Sequence, residues 1–138
     1  MRPSLAGAAA ALALSAQATA ADPSVAGTWI TADRSAVVRI AECGASLCGT
    51  VVQVLATGSD VPRNDARNPN AALRARPLVG VRVLSGFSAR GNQWSGGTAY
   101  DPKSGNSYRA TLALAPGGRL KVTGCVLIVC RSQCWTRS

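Results

Sequence analysis

The chain has 138 residues, with 15 lysines and arginines against 6 aspartates and glutamates, five cysteines and no histidine. That length holds one domain, and a net charge of +9 favours encounters with anionic partners through long-range attraction. Without histidine the commonest general base near neutral pH is missing, and the six acids form no paired-carboxylate motif, so an enzyme is not expected.

In chain order, Met1-Arg2 supplies a positive start, residues 5–16 form an apolar run, and Ala18-Thr19-Ala20 is a small-x-small cleavage site. This is the pattern of a signal peptide over residues 1–20, cut after Ala20. Its apolar core is nearer a dozen residues than the ~20 that cross a bilayer, so the expectation is a cleaved leader and not a transmembrane protein. Residues 21–138 then make the single domain, and loss of Arg2 leaves 14 basic against 6 acidic residues, a net +8. The basic residues are scattered singly along the chain, and export to the periplasm or cell envelope makes nucleic acid a poor partner for them.

No later segment has a helical period. Short runs rich in valine, isoleucine, threonine and aromatics alternate with Gly, Pro, Asn and Asp, and predict strands over residues 25–31, 36–43, 47–55, 78–87, 93–100, 106–115, 119–127 and 130–137. Val79, Val81 and Val83 share one face opposite Arg82, and Tyr108, Ala110, Leu112 and Leu114 oppose Arg109 and Thr111. Such alternation marks antiparallel strands with one face on a core. The segments at 89–92, 101–105 and 115–118 have hairpin length and turn residues. The expected fold is therefore all-β, a small antiparallel up-and-down β-barrel of about eight strands, since closure removes the exposed edges. The exception is a polar connection over residues 56–77 with three prolines, long enough to be functional or to hold a short helix over one barrel mouth.

Five cysteines in a short exported chain point to disulfides. Cys43 and Cys48 have a hairpin-turn spacing, as do Cys125 and Cys130. Pairing within each set closes a loop of about six residues, worth ~2 kcal/mol apiece, and pairing between the sets closes a far longer one. Spacing does not choose between them. Cys134 is the odd thiol. Cysteine zinc sites need four ligands at tighter spacing, usually with histidine, so no metal is expected.

Two groups of residues are candidates for ligand binding. Asp65, Asn68 and Asn70, with Arg76 further along, gather polar side chains in the long connection, although Asp and Asn also serve to shape turns there. Trp94, Tyr100, Asp101 and Tyr108 fall on or beside two neighbouring strands and can line a pocket for a small apolar ligand, or simply pack. Cys134 would be a nucleophile only if Arg131 or Arg137 lowered its pKa. Strand alternation puts both arginines, with Gln133 and Trp135, on the face opposite Cys134.

An ordered set of segments carries a resemblance. It begins with Gly27-Thr28-Trp29, Leu47-Cys48-Gly49, Asp65-Ala66-Arg67-Asn68-Pro69-Asn70 and Arg76-Pro77-Leu78-Val79-Gly80. Trp94-Ser95-Gly96-Gly97, Tyr100-Asp101-Pro102, Gly105 with Tyr108, and Ser132-Gln133-Cys134-Trp135-Thr136-Arg137 follow. Together they resemble the exported bacterial domain-of-unknown-function family numbered 2147, over nearly the whole of residues 21–138. The resemblance implies a lipocalin-like barrel in the periplasm or envelope, and no activity. It also implies a barrel floor in which Trp29, from the first strand, is crossed by Arg137 from the last, near Trp135. The chain departs from the family pattern at Asn70, where an acidic residue is usual after Asn-Pro, and at Cys134, where a small or polar residue is usual before Trp135.

The function expected from these readings is a non-enzymatic binding module, without cofactor, holding a small or lipidic ligand in the barrel mouth. The alternative is an envelope interaction protein whose basic exterior docks anionic surfaces. A redox role for Cys134 is a third reading.

Overall fold

The computed structural model describes residues 4, 7, 24–55 and 62–138. Apart from Ser4 and Gly7, the leader expected over 1–20 lies outside the described residues, as does the start of the long connection. Eight strands follow one another: β1 (Gly27–Ile30), β2 (Ala36–Cys43), β3 (Ser46–Val54), β4 (Arg82–Arg90), β5 (Gln93–Asp101), β6 (Asn106–Ala115), β7 (Arg119–Val126) and β8 (Val129–Arg137). Each pairs with the next in antiparallel register, and β8 returns to β1 through Trp29 opposite Arg137 and Ile30 opposite Thr136. The result is a closed up-and-down barrel without a free sheet edge.

Alternation along the strands decides which side chains enter the barrel. On β6, β7 and β8 the inward positions are Ala110 and Leu112, Leu120 and Val122, and Trp135, all buried. They meet Trp29 from β1, Val38 and Ile40 from β2, and Leu84 and Phe87 from β4 in one apolar cluster. At the end holding the β2–β3, β4–β5 and β6–β7 turns, Trp29, Ile40, Phe87, Leu112 and Leu120 fill the interior.

That end is closed by the chain termini of the barrel. The Trp29 indole is fully buried and donates from Nε1 to the Val25 carbonyl at 2.8 Å. The Arg137 guanidinium lies 4.0 Å from the centre of the Trp29 ring. It also donates to the Ala26 and Ser24 carbonyls at 2.7 and 2.8 Å. A Cβ on residue 27 would fall 2.5 Å from Arg137 Nη1, so the guanidinium takes the space Gly27 leaves.

The cysteines pair locally. Cys43–Cys48 staples the β2–β3 hairpin and Cys125–Cys130 the β7–β8 hairpin, at opposite ends of the barrel, and Cys134 is an exposed free thiol.

The strand bounds differ most before β4. Residues 78–81, expected as strand, form a turn: Leu78 and Val81 are buried but Val79 is half exposed. Gly80 sits at φ +99°, a backbone setting that ends the extended run, and its N–H bonds the Val51 carbonyl while Val81 accepts from Val51 N–H. The alternating valines read as a strand because a single glycine's left-handed turn leaves no mark on hydrophobic periodicity. Within the connection, Asn64 and Pro77 form an isolated bridge, and Ala71–Leu73 makes one turn of 3-10 helix capped by Asn70.

Candidate functional site

The opposite end of the barrel is hollow. A cavity of about 590 Å³ runs in from the mouth formed by the β1–β2, β5–β6 and β7–β8 turns. Its walls are apolar, with Val38, Val51, Leu78, Leu84, Ala99 and Val122, and Trp135 at its base. The space exists because the inward positions nearest the mouth are small or long and polar. Gly124, Arg131 and Gln133 stand where the filled end has leucine, phenylalanine and tryptophan.

Polar groups gather at the rim. Asp33 accepts from Thr31 Oγ1 at 2.9 Å, Ser35 Oγ at 2.7 Å and Ser35 N–H at 3.1 Å, and is ion-paired with Lys103 across the mouth. Burial pushes the Asp33 carboxyl up, but the bonds from Lys103, Ser35 and Thr31 outweigh it and hold the pKa at about 2. Arg131, Tyr108 and Gln133 line the same opening, and Gln133 Oε1 accepts from Trp135 Nε1 at 3.3 Å.

A second polar group fastens the connection beside the cavity. Asp65 is fully buried, and its carboxylate accepts from Tyr100 Oη at 2.5 Å, Asn68 Nδ2 at 2.8 Å, and Arg76 Nε and Nη2 at 2.9 Å each. Burial favours the neutral acid, yet the bonds from Tyr100, Asn68 and Arg76 hold its pKa below the ordinary carboxylate value. The same burial, with the Asp65 charge beside it, drives the Tyr100 phenol up to about 12. The strand-borne phenol thereby ties the connection to β5. Arg67 adds a second tie, donating to the Lys103 carbonyl in the β5–β6 turn.

The expected ligand-binding residues divide accordingly. Tyr100, Asp101 and Tyr108 line the cavity. Asp65, Asn68 and Arg76 form the buried network that holds Tyr100, and they face one another. Asn68 and Asn70 also accept from the backbone N–H groups of Asn70 and Ala72, shaping the loop. Trp94 stands apart: it pairs with Leu112 near the filled end and packs on the core. Among the described residues no cluster of three metal-ligating side chains occurs, and no helix is long and apolar enough to cross a membrane. Asp33, Lys103 and Arg131 at the rim were not among the expected site residues. Arg131 was legible, because strand alternation already set it on the face of Trp135; Asp33 and Lys103 lie in turns whose approach no local pattern records.

An eight-stranded up-and-down barrel, packed at one end and open at the other, is a lipocalin-like fold. One solved structure matches it across the barrel, the Helicobacter pylori protein HP1028, described as belonging to the lipocalin family. The two are 24% identical, the match covers 83% of each chain, and the TM-score is 0.72. No curated protein matches the chain. Residues 27–137 match the family described as "Uncharacterized protein conserved in bacteria (DUF2147)", and the chain belongs to that family.

Proposed function

We infer that the protein is an exported, non-enzymatic binding module that takes a small or lipidic molecule into the barrel mouth. The observation carrying this reading is the half-empty interior: a cavity of about 590 Å³, apolar within and polar at its rim. That is the size and character of a small-molecule site, where apolar walls supply burial and a few polar groups set orientation. The ligand that suits it has an apolar body against Val38, Val51, Leu84 and Val122 and a polar end beside Arg131, Lys103 and Gln133. The two disulfides suit an oxidising compartment, which supports export to the periplasm or envelope.

The test is uptake of a fluorescent fatty acid, dansyl-undecanoic acid, with native mass spectrometry of the protein purified from a bacterial host. Expected are saturable enhancement of the dansyl emission and its loss in Ala99→Trp, which fills the cavity from one wall. No uptake by the parent, or equal uptake by the filled variant, overturns the reading.

A further inference from the structure

The β7–β8 hairpin breaks the usual chemistry of a tight turn. Two-residue hairpin turns favour glycine, asparagine and aspartate, because the backbone there needs positive φ and the side chains face water. Here the turn is Leu127-Ile128, 95% and 96% exposed, with Leu127 at φ +54°. Val126 and Val129 flank it, exposed by more than half, and also line the cavity mouth. The Cys125–Cys130 disulfide ties the two strands one step below, so the apolar tip is held out rigidly. The left-handed backbone at Leu127 is strained, and a side chain so exposed gains no burial within the barrel to offset it.

Among the described residues, the charge around the tip is mostly positive. Arg109 lies opposite Cys125 on the outer face of the hairpin, and Arg131 opposite Gly124 on the inner face. Arg34 and Arg67 stand on the neighbouring turn and connection, both exposed. Two of the described acids of this end are ion-paired, Asp33 with Lys103 and Asp65 with Arg76; Asp101 keeps its charge, turned toward the Lys103 N–H and Ser104 Oγ of its own turn and outnumbered by these arginines. Glu42, the remaining described acid, is at the opposite end.

We propose that this tip is a membrane-docking element: Leu127 and Ile128 insert into the surface of a bilayer containing anionic phospholipid, and the surrounding arginines hold the headgroups. The occupant is a lipid surface because the patch is convex and small. Four side chains on a hairpin tip offer far less than the ~800 Å² per partner of a stable protein interface. Shallow insertion of a few apolar side chains backed by cationic ones is how proteins lie on anionic membranes. Docked this way, the cavity mouth opens directly onto the bilayer, since Val126 and Val129 belong to both. Docking of the tip does not depend on what the cavity holds.

Flotation with vesicles of phosphatidylethanolamine and phosphatidylglycerol, against pure phosphatidylcholine, tests it on oxidised protein purified after export, its N terminus read by mass spectrometry. The parent floats with the anionic vesicles, and far less with the neutral ones. Leu127→Ser with Ile128→Ser lowers the partition coefficient on the order of a hundredfold, about tenfold for each lost apolar side chain. Both residues being exposed, that variant keeps the parent's melting temperature. Ile128→Trp gives a second readout, since its added emission shifts to the blue on anionic vesicles and is quenched by brominated lipid. Equal flotation of parent and double variant overturns the proposal. So does an Ile128→Trp emission that vesicles leave unmoved, or docking to a protein partner without vesicle binding.

Discussion

Tyr100 Oη donates to Asp65 Oδ1 at 2.5 Å, joining two residues 35 positions apart and fixing the long connection against β5. The carboxylate is fully buried, so its energy depends on keeping all of its donors. Removing it in Asp65→Ala leaves Asn68 and Tyr100 without their acceptor, while the Arg76 guanidinium, 38% exposed, regains water, so the cost is about 2–4 kcal/mol. Tyr100→Phe removes one donor to a charged acceptor and costs about 1.5–3 kcal/mol. Urea unfolding of both single variants and the double should show strong coupling, because after Asp65→Ala the phenol has nothing left to lose.

Asp33, Asp65 and Tyr100 set the pH limits of stability. Asp33, held at about 2, and Asp65, also lowered, both bind protons more weakly folded than unfolded. Their stabilisation is full above the ordinary aspartate value of about 4 and is lost on acidification, for Asp33 as pH falls toward about 2. Tyr100 has the opposite sign: raised to about 12, it stabilises fully below the ordinary tyrosine value of about 10 and loses that stabilisation as pH climbs toward 12. Urea midpoints against pH should therefore fall at both extremes. Tyr100→Phe should flatten the alkaline fall, and Asp33→Asn should reduce the acid one.

Gly105 determines whether the connection can reach the β5–β6 turn. It sits at φ +76°, and a Cβ there would lie 2.0 Å from the Arg67 carbonyl oxygen. Gly105→Ala should therefore strain the turn and push the connection outward, costing about 1–3 kcal/mol. Hydrogen exchange locates the effect: amides of Asp65 and Asn68 should lose protection while those in the middle of β6 and β7 keep theirs.

How much of this was legible follows the range of the interaction. The run Tyr108, Ala110, Leu112 and Leu114 gave away its inward face by period two alone, and the Asp101–Gly105 turn by its Pro and Gly. Neighbouring strands joined by short turns then leave little choice of topology. The mouth was harder. Trp94 and Tyr100 both looked like pocket aromatics, but the register shift between Trp94 and Gly97 separates them, and a bulge carries no compositional signal. Asp65 meeting Tyr100, and Asp33 meeting Lys103, depend on how turns from distant strands converge after closure. Periodicity cannot report that, since each contact lies outside any repeating window.

The guanidinium of Arg137 seals the filled end. It stacks on Trp29 and spans two carbonyls that precede β1, so one side chain joins the last strand to the segment before the first. A cation over an indole contributes about 0.5–2 kcal/mol, and the two hydrogen bonds add to it, discounted because the group is partly solvated. Arg137→Ala should cost about 1–3 kcal/mol, and Arg137→Lys should restore only part, lacking the planar fork that reaches both carbonyls. Thermal melts of the three proteins check the order.

The two disulfides close equal six-residue loops at opposite ends of the barrel. On loop-closure entropy each contributes about 2 kcal/mol, so the Cys43→Ser/Cys48→Ser and Cys125→Ser/Cys130→Ser proteins should lose similar stability. Their local effects should differ. Cys48 is buried in the β2–β3 hairpin, whereas Cys125 and Cys130 restrain a turn whose Leu127 already sits in left-handed backbone. Loss of the second bridge should therefore free the tip, raising amide exchange over residues 124–131 with little change elsewhere. Maleimide labelling before reduction should count one thiol per chain, Cys134, which stands exposed on the outer face opposite Lys121. A count of three in the unreduced parent would mean that one bridge is open, and the exchange pattern would identify which.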